Sequence, residues 1–447
     1  MVVPKEQVVA LQEGKFTQAF ENLPAENSRR KKDSARILYV VSAFPCLSET
    51  FIVREVHALL EQGADIRIVA LRRGSDALVQ EEAGALLDRV IYPPGFMRSL
   101  VRAGTRVLAQ PRSTLAQPLT ILRRLWRAPY VMAKSLVAWF RTLAVLDDIE
   151  AWSPDHVHAH WATYPSTAAM QISRSTGRPF SFTAHAHDIF LDDQLMPEKL
   201  SRAAFVATIS RFNREFLRRR YREASRARIE IVHCGVPRRD PRVKPATFAQ
   251  PLTILSVGRL DEVKGFPTLL EACRTLVEQG VRFRCDIVGE GPLRAQLEAQ
   301  LAALQLQDHV FLQGARRSGD VEKMIQAADV FVLASQPSRQ GNMDGIPVAI
   351  MEAMACGTPV VSTVVSGIPE LVENESTGLL VPSRDPVSLA HAIRRLHGDP
   401  ELRRRCIDGA ARKIRREFDA ESEGEKIHRI IHSVRGEVHA EALADSH

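Results

Sequence analysis

Two carboxylates with seven residues between them bracket an apolar run in the segment NMDGIPVAIME: Asp344 and Glu352 stand at its ends, with Gly345 and Pro347 just inside the first. A buried strand or helix needs only the run, so the acids call for a separate reason. The preceding DVFVLAS reads as a strand, QPSRQGNMDGI as a loop, and PVAIMEAMAC as a helix whose first turn accommodates Pro347. Asp344 then lies just ahead of a helix N-terminus, beside the free N–H groups around Gly345 and Ile346, and Glu352 lies about two turns along. Two acids ~9 to 12 Å apart, one flanked by backbone donors, suit a ligand with hydroxylated rings at both ends and anionic groups between them. SVGRLDEVKGF adds Arg259 and Lys264 from another strand-to-helix loop, where cations and a helix N-terminus can hold a diphosphate. Taken alone, these two read as exposed loop charges. VGEGPLR, with Gly289, Glu290 and Gly291, is a further strand-to-helix turn whose glycines let backbone approach a ligand, short of a full G-x-G-x-x-G.

The elements that must position these groups alternate short β-branched runs with longer helical periods, the pattern of parallel sheets covered by helices. Strands are predicted at 35–41, 65–71, 155–160, 179–185 and 205–210, and again at 252–258, 283–289, 309–314, 329–335, 359–363 and 378–382. SETFIVREVHALLEQG has helical spacing and closes on Gly63. VPRRDPRVKPATFAQP carries four prolines in sixteen residues and reads as a linker. The expected organisation is α/β: a loose lead-in at 1–34, a Rossmann-like domain at 35–236, a linker at 237–251, a second Rossmann-like domain at 252–415, and a C-terminal helix at 416–447 returning toward the first domain. Ligands of such sheets sit at the carboxyl ends of the strands, and two facing domains make a cleft there.

A chain of 447 residues, 45% hydrophobic and 25% charged, belongs with ordinary globular proteins and not with fibrous or disordered ones. Its six cysteines are scattered without C-x-x-C or disulfide-like spacing, which fits a reducing compartment and no structural zinc. No secretory leader and no uncharged span of membrane length is read. The net charge of +7 is unevenly placed, because Arg98 to Leu146 holds nine basic residues and no acid, interleaved with Leu100, Val101, Leu122, Leu125, Trp126, Trp139 and Phe140. Such a mixture suits helices lying on an anionic membrane surface, and equally a solvated face with core contacts. No feature points to nucleic acid.

A sugar nucleotide has the form that the paired acids call for. At this point GRLDEVKG, VGEGP, DGIPVAIMEAMACGTPVVST, GIPELV and TGLLVP, in this order, resemble the donor domain of the retaining glycosyltransferases of family 4, which have the GT-B fold of two facing Rossmann-like domains. DHVHAHW and FTAHAHD resemble strands of that family's acceptor domain, and FPxxSETFI is similar to bacterial exopolysaccharide members, including the colanic-acid type. The resemblance implies that Glu352 holds the ribose hydroxyls, that Asp344, Gly345 and Ile346 contact the donor sugar, and that Arg259 and Lys264 stabilise the departing diphosphate. Gly289, Glu290 and Gly291 are implied near the donor's base. His185 is implied next to the reacting carbon, on the donor sugar or the acceptor hydroxyl, with a core histidine as the alternative. Asp replaces the family's first Glu at 344, and Pro347 stands where many members have a glycine whose N–H is lost here. Ser48, Glu49 and Thr50 are candidates for acceptor contact or for capping the following helix, and His187 and Asp188 are further acceptor candidates. The implied partners are a UDP- or GDP-sugar and a lipid-linked saccharide, without a metal or other cofactor, in a cytoplasmic enzyme on the inner face of the membrane.

Two other classes compete. His156, His158 and His160 with His185 and His187 offer H-x-H pairs on strands, the spacing of a metal-dependent hydrolase, for which the sequence shows no carboxylate ligand in a recognisable context. A sugar- or lipid-binding module of the same fold would keep the cleft and lack turnover.

Overall fold

The computed structural model describes residues 34–46, 49–74, 81–192, 194–239 and 250–444. The expected lead-in through residue 33, Ser48 and most of the linker lie outside the described residues. Seven strands, β1 (Arg36–Phe44), β2 (Asp65–Arg73), β3 (Val90–Ile91), β4 (His156–His160), β5 (Phe180–Ala184), β6 (Phe205–Thr208) and β7 (Ile229–Ile231), form a parallel sheet in the order β3-β2-β1-β4-β5-β6-β7. Six more, β8 (Leu252–Val257), β9 (Phe283–Val288), β10 (Val310–Gly314), β11 (Val330–Leu333), β12 (Val360–Thr363) and β13 (Leu379–Val381), form a second in the order β10-β9-β8-β11-β12-β13. Both sheets therefore reverse direction beside their own first strand, which opens a crevice at the carboxyl ends there. Helices cover both faces, so the inner strands are buried throughout and read as apolar runs. The runs missed by that signal are β3 and β7, which at two and three residues are too short to show a period.

The helices that bear on the site are α1 (Thr50–Glu61), α2 (Phe96–Ala109), α3 (Pro111–Leu125), α4 (Pro129–Leu143), α5 (Arg211–Arg220), α6 (Phe266–Glu278), α7 (Val348–Ala355), α8 (Pro400–Glu417) and α9 (Ala420–Ala444). Ile52, Val56 and Leu59 of α1 share one core with Ile37 and Ile66 of the first sheet and with Ile427, Ile431 and Val434 of α9. The spacing of the last three puts them on one helical face, so α9, which follows the second domain, docks on the first. The chain is stitched at that crossing: Val236 N–H donates to the Phe418 carbonyl at 2.9 Å, Ala420 N–H to the Val236 carbonyl at 3.0 Å, and the Arg238 guanidinium grips Asp419 at 2.9 and 3.0 Å. Glu370, of the GIPELV motif, accepts the first two N–H groups of α5 from Arg211 at 2.9 Å and Phe212 at 2.8 Å. A carboxylate from one domain thus caps a helix of the other, where the helix dipole favours it.

The basic segment folds as α2, α3 and α4, inserted between β3 and β4. Two of its aromatics do not face out. Trp139 donates its indole N–H to the Thr114 carbonyl at 2.9 Å, and both it and Phe140 pack on the core between the inserted helices and the first sheet. The charge surplus is also smaller in space than in sequence, because Arg102 pairs with Asp148, Arg106 with Asp147 and Glu150, and Arg124 with Glu198. What remains outward is still unusual. Phe96, Met97, Leu100, Val101 and Leu108 of α2, Leu115, Leu119 and Leu122 of α3, and Trp126 and Tyr130 beyond it are exposed. No helix among the described residues is long and apolar enough to cross a membrane.

Ile427 of α9 is fully buried in that core, so Ile427→Ala is expected to cost about 2 to 4 kcal/mol in urea unfolding. A change below about 0.5 kcal/mol, typical of surface positions, would show that α9 is not docked.

Candidate functional site

The loop after β8 and the loop before α7 meet at the carboxyl end of the second sheet. Lys264 closes a short turn ahead of α6, and its ammonium lies 2.7 Å from Asp344 Oδ1. Ser335, just past β11, donates its hydroxyl to Asp344 Oδ2 at 2.7 Å. The Asp344 carboxylate is thus charge-compensated and aimed by two segments that the sequence alone does not join. Arg259 stands nearby with its guanidinium largely in solvent, 4.0 Å from an Asp261 carboxylate oxygen. Pro347 is the residue before the first turn of α7 and not within it. Glu352 projects from the second turn of α7 toward the first domain, where Arg54 of α1 meets it at 2.7 Å.

Gly345 is a point of close approach between the domains. A Cβ there would fall 2.5 Å from Ile209 Cδ1 and 3.1 Å from the His185 carbonyl oxygen, so only glycine lets this loop seat on the end of β5. Among the described residues neither the Gly345 nor the Ile346 N–H donates to a backbone oxygen, while the Ile346 side chain is buried in the shared core. These donors remain for a ligand. The glycines of VGEGP pack one loop against another. Gly291 packs so tightly on the Leu260 backbone that a Cβ would come within 2.7 Å of its nitrogen, and Leu260 N–H donates to the Glu290 carbonyl at 2.9 Å. Gly289 likewise abuts the Gly258 carbonyl. They bring two loops together, which fixes the Arg259 loop, and the Glu290 side chain is occupied by Arg294 at 2.6 Å.

The first domain contributes a buried polar row. Glu55 of α1 accepts the Tyr39 hydroxyl at 2.6 Å and faces His160 Nε2 at 3.0 Å; His160 Nδ1 faces His185 Nε2 at 3.1 Å; His185 Nδ1 faces the Cys234 thiol at 3.7 Å. His185 is 4% exposed, with its ring against Trp161 and Phe51. Its imidazole makes these contacts within the first domain, and its carbonyl oxygen faces the Gly345 loop. Burial alone would raise the Glu55 carboxyl, but His160, then His158 and Tyr39, bring it down to about 2. Burial pushes His156 and His158 down to about 3, and burial with repulsion from His160 holds His185 well below the ordinary imidazole range.

Other expectations divide. Glu49 precedes α1 without capping it and accepts the Trp161 indole N–H at 3.0 Å, and Thr50 is the first residue of that helix. Asp188 is fully buried, accepting N–H groups from Ala162 at 2.7 Å, His185 at 3.0 Å and Ala186 at 2.9 Å, so it braces the loop after β5. His187 is exposed at the start of a short helix. Glu55, His158 and His160 bring their ligand atoms within 4.8 Å of one another, supplying the carboxylate that the hydrolase reading lacked. Those atoms are already engaged, however, since the His158 nitrogens face the Ser181 and Thr183 hydroxyls at 2.8 and 3.0 Å. Arg54, Glu55, Trp161 and Ser335 escaped sequence reasoning. Trp161 alone carries a local signal, directly after the H-x-H-x-H strand, and its φ of 77° marks a strained turn into the cleft.

Two facing doubly wound domains with cations and carboxylates at the strand ends define a GT-B arrangement. Residues 48–239 match the family described as Glycosyltransferase Family 4, and residues 238–413 match Glycosyl transferases group 1. The putative colanic acid biosynthesis glycosyltransferase WcaL of Escherichia coli is 35% identical over 373 residues, 80% of this chain and 89% of that one. The amylovoran biosynthesis glycosyltransferase AmsK of Erwinia amylovora is 48% identical over 147 residues, 33% of this chain and 36% of that one. Among solved structures, Anabaena HepE in complex with UDP superposes with a TM-score of 0.63 at 16% identity, covering 89% of this chain and all of that one. The chain belongs to the family 4 glycosyltransferases.

The buried imidazoles generate a pH prediction. Free imidazoles titrate near 6.5, so below that value the unfolded chain takes up protons that folded His156 and His158 refuse. Their contribution is complete above about pH 6.5 and is lost as pH falls toward 3, by up to ~1.4 kcal/mol per pH unit for each ring. Unfolding free energy from urea titrations should drop by roughly 4 kcal/mol between about pH 7 and pH 5, with a shallower slope in His158→Gln. A flat profile would show that the rings are hydrated.

Proposed function

We propose that this glycosyltransferase moves a hexose from a UDP- or GDP-sugar to a lipid-linked saccharide, with the anomeric configuration kept, during assembly of a bacterial exopolysaccharide or cell-surface polysaccharide. The observation that carries the reading is the convergence of Lys264, Ser335 and Asp344 in one cleft with Glu352. Lys264 and Arg259 hold the diphosphate and stabilise its departure. Glu352 exchanges Arg54 for the ribose hydroxyls, while Asp344 and the Gly345 and Ile346 N–H groups address the sugar. Attack and departure share one face: the glycosyl–phosphate bond breaks, the acceptor oxygen bonds to the anomeric carbon, and the departing phosphate takes the acceptor proton. No side-chain base is called for. Two cations and the N-terminus of α7 supply the neutralisation that a metal gives elsewhere. The names of the colanic acid and amylovoran relatives support the polysaccharide assignment. The exposed apolar residues of α2 and α3, with Arg98, Arg112, Arg123 and Arg127 at the surface, support docking on the cytoplasmic membrane face.

Incubation with radiolabelled nucleotide sugars should release free nucleotide, and a binding module would release none. Glu352→Gln and Lys264→Ala should each lower turnover roughly 30- to 1000-fold, for ~2 to 4 kcal/mol of lost stabilisation. Near-native turnover in both would remove the assignment. Activity should survive EDTA, and strict dependence on Mg2+ or Mn2+ would contradict the charge accounting. Co-sedimentation with anionic vesicles should fall at high salt and in an Arg112→Glu, Arg123→Glu, Arg127→Glu triple variant; a triple variant that binds equally well leaves α2 and α3 as a solvated face.

A further inference from the structure

A cavity of about 310 Å³ opens where β2 and β3 end, between the first sheet and the inserted helices. Arg72, Arg73 and Arg141 are among its lining residues, and no carboxylate is. The rest of the wall is apolar and aromatic, including Tyr92, Phe96 and Phe140. Two of the cations are held in place. The Arg73 guanidinium lies 4.3 Å from the centre of the Tyr92 ring, and the Tyr92 hydroxyl is tied to the Phe44 carbonyl at 3.0 Å. Arg141 spends one N–H on the Leu71 carbonyl at 2.7 Å and keeps its other donors for a ligand. Like charges at one hollow repel each other, and an anion that accepts from guanidinium forks relieves that repulsion.

The surroundings indicate which anion. Phe96 forms part of the wall and is 71% exposed, Met97 beside it is 69% exposed, and Leu100 and Val101 continue the apolar surface along α2. A small soluble anion has no use for such a rim, whereas a phosphorylated lipid matches charge and apolar surface at once. The cavity also lies on the functional edge of the sheet. In the order β2-β1-β4-β5, the end of β2 is three strand spacings, roughly 14 Å, from the end of β5 at the cleft. A short saccharide can span that distance.

Resting on the lipid-linked acceptor reading above, we propose that Arg72, Arg73 and Arg141 bind the diphosphate of a polyisoprenyl-linked saccharide, its lipid leaving over Phe96 and its saccharide running along the strand ends toward Gly345. The site would set acceptor affinity separately from donor chemistry, because none of the three arginines touches the carboxylate pair.

The test uses the whole chain and phosphatidylcholine vesicles carrying either a polyisoprenyl diphosphate, the matching polyisoprenol, or phosphatidylglycerol. Native protein should bind the diphosphate vesicles about ten-fold or more tightly than the polyisoprenol ones. An Arg72→Ala, Arg73→Ala variant should lose that preference while keeping its melting temperature and its binding to phosphatidylglycerol, and the Arg72→Lys, Arg73→Lys variant should recover part of it. A native protein without the preference, or a double alanine variant that retains it, overturns the cavity assignment and leaves the membrane reading intact. Equal binding of free pyrophosphate and the lipid diphosphate overturns the lipid source. If no vesicle binds and transfer proceeds only to soluble saccharides, the lipid-linked reading fails and the cavity assignment fails with it.

Discussion

A carboxylate withdrawn from water needs a cation, and in this chain that requirement joins segments far apart in sequence. Asp344 and Glu352 are 12% and 26% exposed, and each meets its partner at 2.7 Å: Lys264 from the loop after β8, and Arg54 from a helix of the other domain. Breaking one member of such a pair leaves an uncompensated charge, which is the expensive outcome. The loops, the Gly345 contact and the approach of α1 to α7 are all consistent with keeping those charges matched. The same pairs explain how a charged substrate can enter at modest cost. A diphosphate offers Lys264 a new anion and ribose hydroxyls offer Glu352 new donors, so contacts are exchanged and not merely lost.

How far the sequence disclosed this depends on the range of each interaction. Strands such as FVATIS and DVFVLAS announce themselves because burial on both faces makes them continuous apolar runs, whereas β3 and β7 are too short to carry any pattern. The spacing of Asp344 and Glu352 was legible because both sit on one loop-helix unit. Arg54 was not, since its partner is 298 residues away and an arginine on an amphipathic helix looks like any solvated charge. Glu55 was hidden in the same way. The alternation of the strand histidines invited a metal site, yet the nitrogens of His158 face hydroxyls and His160 Nε2 faces Glu55. Trp139 and Phe140 showed that an aromatic in a basic helix can be core as readily as surface, which composition does not distinguish.

The division of labour between the domains follows from these placements. The second domain carries the groups suited to a nucleotide sugar, with cations and open N–H donors at its strand ends. The first carries a buried, internally satisfied polar row behind the cleft, and an apolar, cationic outer flank. Glu370 on the α5 N-terminus and the crossing at Val236 and Asp419 hold the two together close to the cleft and not at a distant linker.

The central claim is that the Asp344–Lys264 and Glu352–Arg54 pairs are the resting state of a nucleotide-diphosphate site. Calorimetric titration of the native protein and of Arg54→Ala and Glu352→Gln with UDP and GDP tests it most directly. One of the two nucleotides should saturate the native site; Arg54→Ala should bind it at least as tightly, because the competing cation is gone, and Glu352→Gln should bind it about ten-fold or more weakly. Failure of both nucleotides to bind, or equal binding by Glu352→Gln, would contradict the account.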